Sequence, residues 1–216
     1  GRRLRKPIDS SQIRGRFAGV RVLRDAGGKH ESSLSREWEL LQPEPGLFTT
    51  VGGKLTAARE EARLALDVLV RASDLLCRSS TTHTTPLPWS PTEPWERWRA
   101  ARVGDLAEAG LDATAAGAAP SRYGTRVGRL MDILKENPAL AQRIHASEPF
   151  TLADVVMGVR HERALTLEDA LRRRMPLSLL RPLSADILGK AVAVAGAQLG
   201  WSASQREREV ATLIPA

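Results

Sequence analysis

The sequence has a single cysteine, Cys77, and only 4% of its 216 residues are aromatic. One cysteine excludes an internal disulfide framework and a multi-cysteine zinc site. No metal ligands are predicted. The sequence also lacks the run of about 18 uncharged apolar residues that a transmembrane helix needs. The longest candidate, Ile187 to Leu199, is too short and contains Lys190. Any membrane association is therefore expected to be peripheral.

A dinucleotide-binding fingerprint is also missing. No G-x-G-x-x-G segment occurs in the sequence, and that turn holds the pyrophosphate of a dinucleotide in the fold that binds it. Residues 1–6 contain neither an initiator methionine nor the apolar stretch of a secretory signal. We therefore expect the chain to be a fragment of a longer protein, although a processed product would have the same start.

The charge balance is basic, with 32 Lys and Arg residues against 25 Asp and Glu residues and a net charge of +7. Such a balance favours anionic partners: nucleic acid, an anionic membrane surface or a phosphorylated metabolite. The arginines are interleaved with acidic residues, as in Glu60, Glu61 and Arg63, which is typical of solvated helix faces. Few aromatics and no recognition motif are present, so no nucleic-acid binding is expected.

The first third of the chain has strand-like patterns that end in a helix. Short apolar or alternating segments occur at 17–23, 37–41 and 47–51, and the last two predict a hairpin around the turn-forming residues 43–46. From Thr56 to Leu76 the apolar residues recur at helical spacing, which predicts one amphipathic helix. Residues 77–94 are rich in Ser, Thr and Pro and predict a linker.

The rest of the chain predicts helices only. Three pairs have the spacing of a capping box: Thr151 with Asp154, Thr166 with Asp169, and Ser204 with Glu207. The fold class is therefore α+β, with strands and one long helix in residues 1–76, a linker at 77–94 and an all-α domain in residues 95–216. The predicted helices of that domain are 95–109, 121–135, 138–144, 151–163, 166–174, 184–199 and 204–213.

The feature that carries chemistry is the segment Gly52-Gly53-Lys54 between a predicted strand and a predicted helix. Two glycines let a ligand approach the backbone, and the amides that open the helix carry roughly half a positive charge. A P-loop is excluded, because Phe48 and Leu55 stand where its first glycine and its Ser or Thr belong. An anion or an electron-rich ring suits this turn, although a plain tight turn would look similar.

Several segments resemble the FAD-dependent glycerol-3-phosphate dehydrogenases. Residues 52–59, GGKLTAAR, are similar to the family's GGKLTTYR, while residues 18–23, AGVRVL, resemble AGVRPL and residues 35–37 resemble SRE. In the helical region, residues 162–174 reproduce the pattern E-x-A-x-T-x-x-D-x-L-x-R-R, and Leu199-Gly200-Trp201 followed by Glu209-Val210 resembles the end of the family's C-terminal helical domain. The resemblance covers nearly the whole chain and is weakest at residues 78–119.

The resemblance implies an enzyme that oxidises sn-glycerol 3-phosphate to dihydroxyacetone phosphate on FAD and passes the electrons to a quinone. It implies a cytoplasmic protein with peripheral contact at the inner face of the cell membrane, and it leaves a homodimer open. Residues 1–76 would be the C-terminal part of the FAD-dependent domain. Gly52, Gly53, Lys54, Leu55 and Thr56 would lie against the flavin. Arg21 and Lys54 would face the substrate and its phosphate, as the catalytic and substrate-binding cations.

Some positions depart from the family pattern. Ala57 and Ala58 replace a Thr and a Tyr, and Val22 replaces a Pro, which implies fewer contacts with the flavin. The family's general base is expected to be a histidine, but none of the four histidines here (His30, His83, His145 and His161) falls in a matching motif. We expect the chain to be inactive alone. The alternative is a non-catalytic helical interaction or scaffold module derived from the same family.

Overall fold

A computed structural model describes residues 9–13, 18–20, 37–73 and 76–214. The chain divides into two compact units. One contains Ala18–Leu87 and is called here the hairpin unit; the other contains Pro88–Ala216 and residues 9–13 and is called the helical unit. Strands occur in the first and helices dominate the second, so the predicted α+β class is confirmed.

The sheet of the hairpin unit is a two-stranded antiparallel hairpin. Strand β1 spans Glu39–Glu44 and strand β2 spans Leu47–Val51, with Glu39 opposite Val51 and Leu40 opposite Thr50. The predicted hairpin is confirmed, but its turn is tighter than expected. β1 continues to Glu44, and Gly46 closes the turn at φ +81°, a value that glycine adopts without strain. The predicted strand 17–23 lies largely outside the described residues.

Helix α1 spans Ala58–Ala72 and follows a short 3-10 turn at Leu55–Ala57. It ends because Ser73 turns extended and returns both its backbone N–H and its hydroxyl to the carbonyl of Leu69 (3.0 and 2.6 Å). The prediction of a helix up to Leu76 is therefore wrong at its C-terminal end. Its buried residue Ala65 lies on the side that faces a cleft shared with the hairpin.

The helical unit has short connections between its helices. Their bounds are Trp95–Glu108 (α2), Ala113–Tyr123 (α3), Val127–Glu136 (α4), Leu152–Glu162 (α5), Leu177–Leu180 (α6), Ala185–Leu199 (α7) and Ala203–Leu213 (α8), with a π-helical segment at Asp169–Arg174 and a 3-10 turn at Pro138–Ala141. Among the described residues, no helix has both the length and the apolar character required to cross a bilayer.

The predicted helix 121–135 is confirmed from Val127 onward as α4 but is wrong at its start, where α3 ends and a 3-10 turn intervenes. Helix α3 ends at Tyr123, and Gly124 breaks the chain direction at φ +53°. A Cβ at Gly124 would lie 2.2 Å from the carbonyl oxygen of Trp89, so only glycine fits here. The first turns of α3 were not expected, because Gly117 and Pro120 disfavour a helix interior, yet Asp112 caps this helix by accepting the amides of Thr114 and Ala115.

Two apolar cores share helix α5. Val155 packs in a core with Leu171, Leu188 and Trp201, whereas its neighbour Val156 packs in a core with residues of α2, α3 and α4, including Leu106. Every residue from Leu152 to Gly158 is buried. A helix that is apolar on all sides must be enclosed, so α5 is the central element of this unit.

The helix caps decide where several of these elements begin. The capping box of Thr151 with Asp154 is confirmed at the start of α5. Thr166 and Asp169 also exchange hydrogen bonds as predicted: each side chain accepts the amide of the other (3.0 and 3.1 Å). The third predicted box is wrong, because the cap of α8 is Ser202, whose hydroxyl accepts the amide of Gln205 (3.3 Å).

Candidate functional site

The Gly-Gly-Lys turn lies between strand β2 and helix α1, in the order that the sequence predicts. Gly52 and Gly53 have φ values of +76° and +94°, both in the region where a side chain is strained. Lys54 returns to an extended conformation, and the 3-10 turn Leu55–Ala57 starts directly after it. Two consecutive glycines are therefore required by the backbone path of this turn.

Glu61 closes over this turn and was not predicted from the sequence. Its Oε1 accepts the backbone N–H of Lys54 at 3.3 Å. Its Oε2 lies 2.5 Å from the position that a Cβ on Gly53 would occupy. Glu61 is seven residues after Lys54 and belongs to α1, so the contact depends on how the turn folds back on the helix. The Glu61 carboxylate thus already accepts the Lys54 amide, one of the donors of the candidate anion site.

The residues that follow Lys54 in the turn are exposed. Leu55 is 95% exposed and Thr56 is exposed. As the first residues of a helix they have no intrahelical acceptor for their N–H groups, and no acceptor occurs among the described residues. The Lys54 side chain is also exposed. Two amides and one ammonium group are therefore available to a negatively charged or electron-rich ligand.

The charged residues that flank Glu61 on helix α1 are engaged within the helix and with the segment after it. Arg63 donates to Glu60 at 2.9 Å, and this hydrogen bond holds the pKa of the Glu60 carboxyl below its ordinary value. Arg59 donates to the hydroxyl of Thr82 and to the carbonyl of Thr85 (3.0 and 2.9 Å). The charges next to Glu61 are therefore committed to structural contacts.

A cleft of about 530 Å³ lies between the hairpin and α1 and reaches the turn at Gly52 and Glu61. Its walls are mostly apolar, which is typical of ligand pockets. The other lining residues are Trp38, Leu40, Phe48, Thr50, Ala58, Ala62, Ala65, Leu66 and Leu69. One charged residue, Glu61, therefore stands where this apolar cleft meets the glycine turn.

The structure brings Gly52, Gly53, Lys54, Leu55 and Thr56 together in one turn. The second predicted cation, Arg21, lies outside the described residues, as do Val22 and His30. His83 lies in the hairpin unit, while His145 and His161 lie in the helical unit. No histidine is assigned as the general base.

Residues of the 162–174 segment, whose pattern resembles the family, form hydrogen bonds that hold the local fold together. Asp169 accepts the amide of Leu165 at 3.0 Å and a guanidinium N–H of Arg173 at 2.6 Å. Burial opposes ionisation of Asp169, but these hydrogen bonds outweigh it, so the pKa of this carboxyl lies below its ordinary value. Arg174 donates to the carbonyl of Glu162 at 2.6 Å, at the end of α5. This cluster fixes the connection after α5.

Residues 80–206 match the family defined as the C-terminal domain of alpha-glycerophosphate oxidase. The chain belongs to this family. The resemblance to glycerol-3-phosphate dehydrogenases inferred from the motifs is thereby confirmed, and the match covers most of the helical unit.

Curated relatives with the name glycerol-3-phosphate dehydrogenase extend the similarity over nearly the whole chain. Glycerol-3-phosphate dehydrogenase 2 of Mycobacterium tuberculosis is 30% identical over 209 residues, which are 96% of this chain and 35% of the relative. The mitochondrial glycerol-3-phosphate dehydrogenase of Bos taurus is 28% identical over 206 residues, 91% of this chain and 27% of the relative. The chain therefore spans about a third of the length of such relatives.

A solved structure has a similar fold. The glycerol-3-phosphate dehydrogenase of Bacillus halodurans, which was solved in complex with FAD, superposes with a TM-score of 0.66 at 19% sequence identity. The superposition covers 81% of this chain and 36% of the Bacillus chain. At this identity the likeness establishes the fold.

Proposed function

We propose that this chain forms the C-terminal part of an FAD-dependent enzyme that oxidises sn-glycerol 3-phosphate to dihydroxyacetone phosphate. The observation that carries the proposal is the Gly52-Gly53-Lys54 turn, which enters a helix at exposed residues in a chain that belongs to this family. The Bacillus protein of similar fold binds FAD. A turn with these properties suits the electron-rich edge of a flavin.

The residues of the turn fit a flavin in part. The amides of Leu55 and Thr56 belong to exposed residues and have no acceptor among the described residues, so they can donate to a ring carbonyl, and the helix start favours negative charge next to them. The amide of Lys54 is already used by Glu61. A bound FAD supplies the hydride acceptor; residues 52–56 of this chain would bind one edge of its ring and stabilise the charge there.

Lys54 is assigned to the substrate. Its ammonium group is exposed beside the turn and would stabilise the C2 oxygen of glycerol 3-phosphate as that oxygen loses its proton, since a cation lowers the energy of a developing alkoxide. Arg21 would bind the phosphate, because a guanidinium can donate to two phosphate oxygens at once. The two cations could also exchange these roles.

The electron acceptor and the location follow from the same proposal. We assign a quinone as the acceptor and a peripheral position at the inner face of the cell membrane, in an assembly that includes a homodimer as one arrangement. We also propose that residues 1–76 belong to the FAD-dependent domain, residues 77–94 form a linker and residues 95–216 form the all-α domain.

The test is a steady-state activity assay. The chain is combined with the portion of the Mycobacterium tuberculosis relative that lies outside the matched 35%, so that this portion supplies the rest of the enzyme. The assay follows reduction of a quinone analogue by sn-glycerol 3-phosphate with FAD present. We expect activity with the wild-type chain and a loss of about two orders of magnitude or more in kcat/KM for Lys54→Met, the size of effect seen when one charge-stabilising donor is removed.

The matched control is Lys135→Met, which removes an exposed lysine of α4 that contacts Asp132 at 3.6 Å. This variant is expected to keep wild-type kinetics. Equal activity of the Lys54 and Lys135 variants would remove Lys54 from the reaction. Absence of flavin-dependent activity in every combination would favour the non-catalytic scaffold instead.

A further inference from the structure

Two ion pairs link the C-terminal end of α5 to the two ends of α4 in the helical unit. Arg126, just before α4, lies 3.7 Å from Glu162 at the end of α5. In the second pair, Arg160 of α5 contacts Glu136 at the end of α4 at 2.6 Å. Arg129 and His161 lie between these two contacts along the chain and are both exposed. Arg126, Arg129, Arg160 and His161 are called here the arginine face.

The donors of this face are not all used. Arg160 is committed, because it also donates to Gln198 at 2.7 Å. Arg126 has one loose carboxylate contact, and its Nε is buried without a hydrogen-bond partner. Within the described part of the chain, Arg129 forms no ion pair with any carboxylate. The guanidinium groups of Arg126, at the end of the 3-10 turn Gly124–Arg126, and of Arg129, in the first turn of α4, therefore keep Nη donors available to a ligand, whereas the Nε of Arg126 is buried.

The position of Arg126 is fixed by an aromatic ring. Its guanidinium carbon lies 5.5 Å from the ring centre of Trp89, a distance that permits a cation–π interaction. Trp89 itself is held by its carbonyl oxygen, which accepts the amide of Thr125 at 2.9 Å. A guanidinium that is oriented before a ligand arrives loses less conformational entropy when the ligand binds.

The local potential on this face is positive. His161 is exposed as a residue, but partial desolvation of its ring, and then the charges of Arg129, Arg160 and Arg126, hold the pKa of the imidazole below its ordinary value, although Glu136 acts in the opposite direction. The nearby carboxylate of Glu136 thus does not cancel the guanidinium charges at His161. An added anion would lower this unfavourable potential.

We propose that Arg126 and Arg129, with His161 beside them, form a binding site for a phosphate group on the helical unit. Two guanidinium groups and an imidazole can donate to several oxygens of a tetrahedral phosphate, whereas one guanidinium satisfies a planar carboxylate. The site lies entirely in the helical unit and does not depend on the flavin or on Lys54. The phosphate can come from a soluble metabolite or from a phospholipid headgroup.

The test is an NMR titration of the chain with inorganic phosphate, at constant ionic strength set with chloride, that follows the His161 ring. We expect the His161 resonance to move and its pKa to rise, because a bound anion stabilises the imidazolium. Arg129→Gln and Arg126→Gln should each weaken phosphate binding by roughly fivefold, as expected for one arginine at a charged surface. Arg129 is exposed, so its replacement leaves the fold intact.

The control is Arg97→Gln, which removes an arginine of α2 whose side chain is 84% exposed and which has a 3.6 Å contact with Glu93. It should bind phosphate like the wild type. A parallel arm measures sedimentation with vesicles of phosphatidylcholine alone and of phosphatidylcholine with phosphatidylglycerol. Arg129-dependent capture by the anionic vesicles identifies a lipid headgroup, and a response to soluble phosphate alone identifies a metabolite. The proposal is overturned if neither arm distinguishes Arg129→Gln from Arg97→Gln.

Discussion

At the scale of single residues, Asp154 is the most completely bonded carboxylate that the structure describes. Its side chain is buried and accepts the hydroxyl of Tyr123 at 2.5 Å, a guanidinium N–H of Arg122 at 2.9 Å, and both the amide and the hydroxyl of Thr151. Burial, and then the charge of Asp154, raise the pKa of Tyr123 well above its ordinary value. One carboxylate thus joins α3 to the start of α5.

Replacing Asp154 by Ala should lower the free energy of unfolding by about 3 kcal/mol, because it leaves a buried tyrosine hydroxyl and a largely buried arginine without their acceptor. Equilibrium urea unfolding followed by circular dichroism measures this loss. Asp132→Ala is the control, since that side chain is 70% exposed, and it should change stability by less than about 0.5 kcal/mol. Similar unfolding midpoints for the two variants would refute a central role for Asp154.

The residues of the candidate site show what a sequence can and cannot predict at this scale. The two glycines and Lys54 were predicted, because their residue types and their place after a strand restrict the backbone strongly. Glu61 was not predicted. Its contact with Lys54 is set by the fold of the turn against α1, and no local pattern encodes that arrangement.

At the scale of secondary structure, the helix ends were harder to predict than the helices. Helices α2, α5 and α7 lie within a residue or two of their predicted positions. In α5 and α7 a capping side chain, Thr151 or Ser184, also marks the start. The region around Gly124 was predicted as one helix, since the contact of this glycine with Trp89 comes from a distant part of the chain. Leu167 likewise donates its amide to Glu209, 42 residues away, a contact that sequence periodicity cannot indicate.

The start of α8 offers a direct test of the observed cap against the predicted one. Ser202→Ala should weaken the first turn of α8 by about 1 kcal/mol, because the amide of Gln205 loses its acceptor. Ser204→Ala removes the hydroxyl that the sequence pattern favoured and should cost a few tenths of a kcal/mol at most. Amide hydrogen exchange at Gln205 and Arg206 measures both. Greater loss of protection in the Ser204 variant would instead favour the predicted box.

At the scale of the whole molecule, the two units have different relations to function. The helical unit has two apolar cores of its own, and its family motif residues cap and join helices. The hairpin unit carries the glycine turn beside an open apolar cleft. Family membership could be inferred from the sequence because the motifs of both units are local. The cleft could not be predicted from the sequence, since it is lined by residues from both strands and from α1.

We propose that the Gly52-Gly53 turn forms part of a flavin site. The most direct measurement is the FAD affinity, from flavin fluorescence, of the chain combined with the unmatched part of its Mycobacterium tuberculosis relative. Gly53→Ala should weaken FAD binding by at least about tenfold, because its Cβ would displace Glu61 and distort the turn.

Gly46→Ala is the matched control. Gly46 also has a positive φ, +81°, but lies at the hairpin turn with open space around its Cβ position. This variant carries a similar backbone strain and should bind FAD like the wild type. Selective loss of FAD binding in Gly53→Ala is the result we predict. Equal FAD affinity of the two variants, or no FAD binding by the wild-type assembly, would contradict the assignment of this turn to a flavin site.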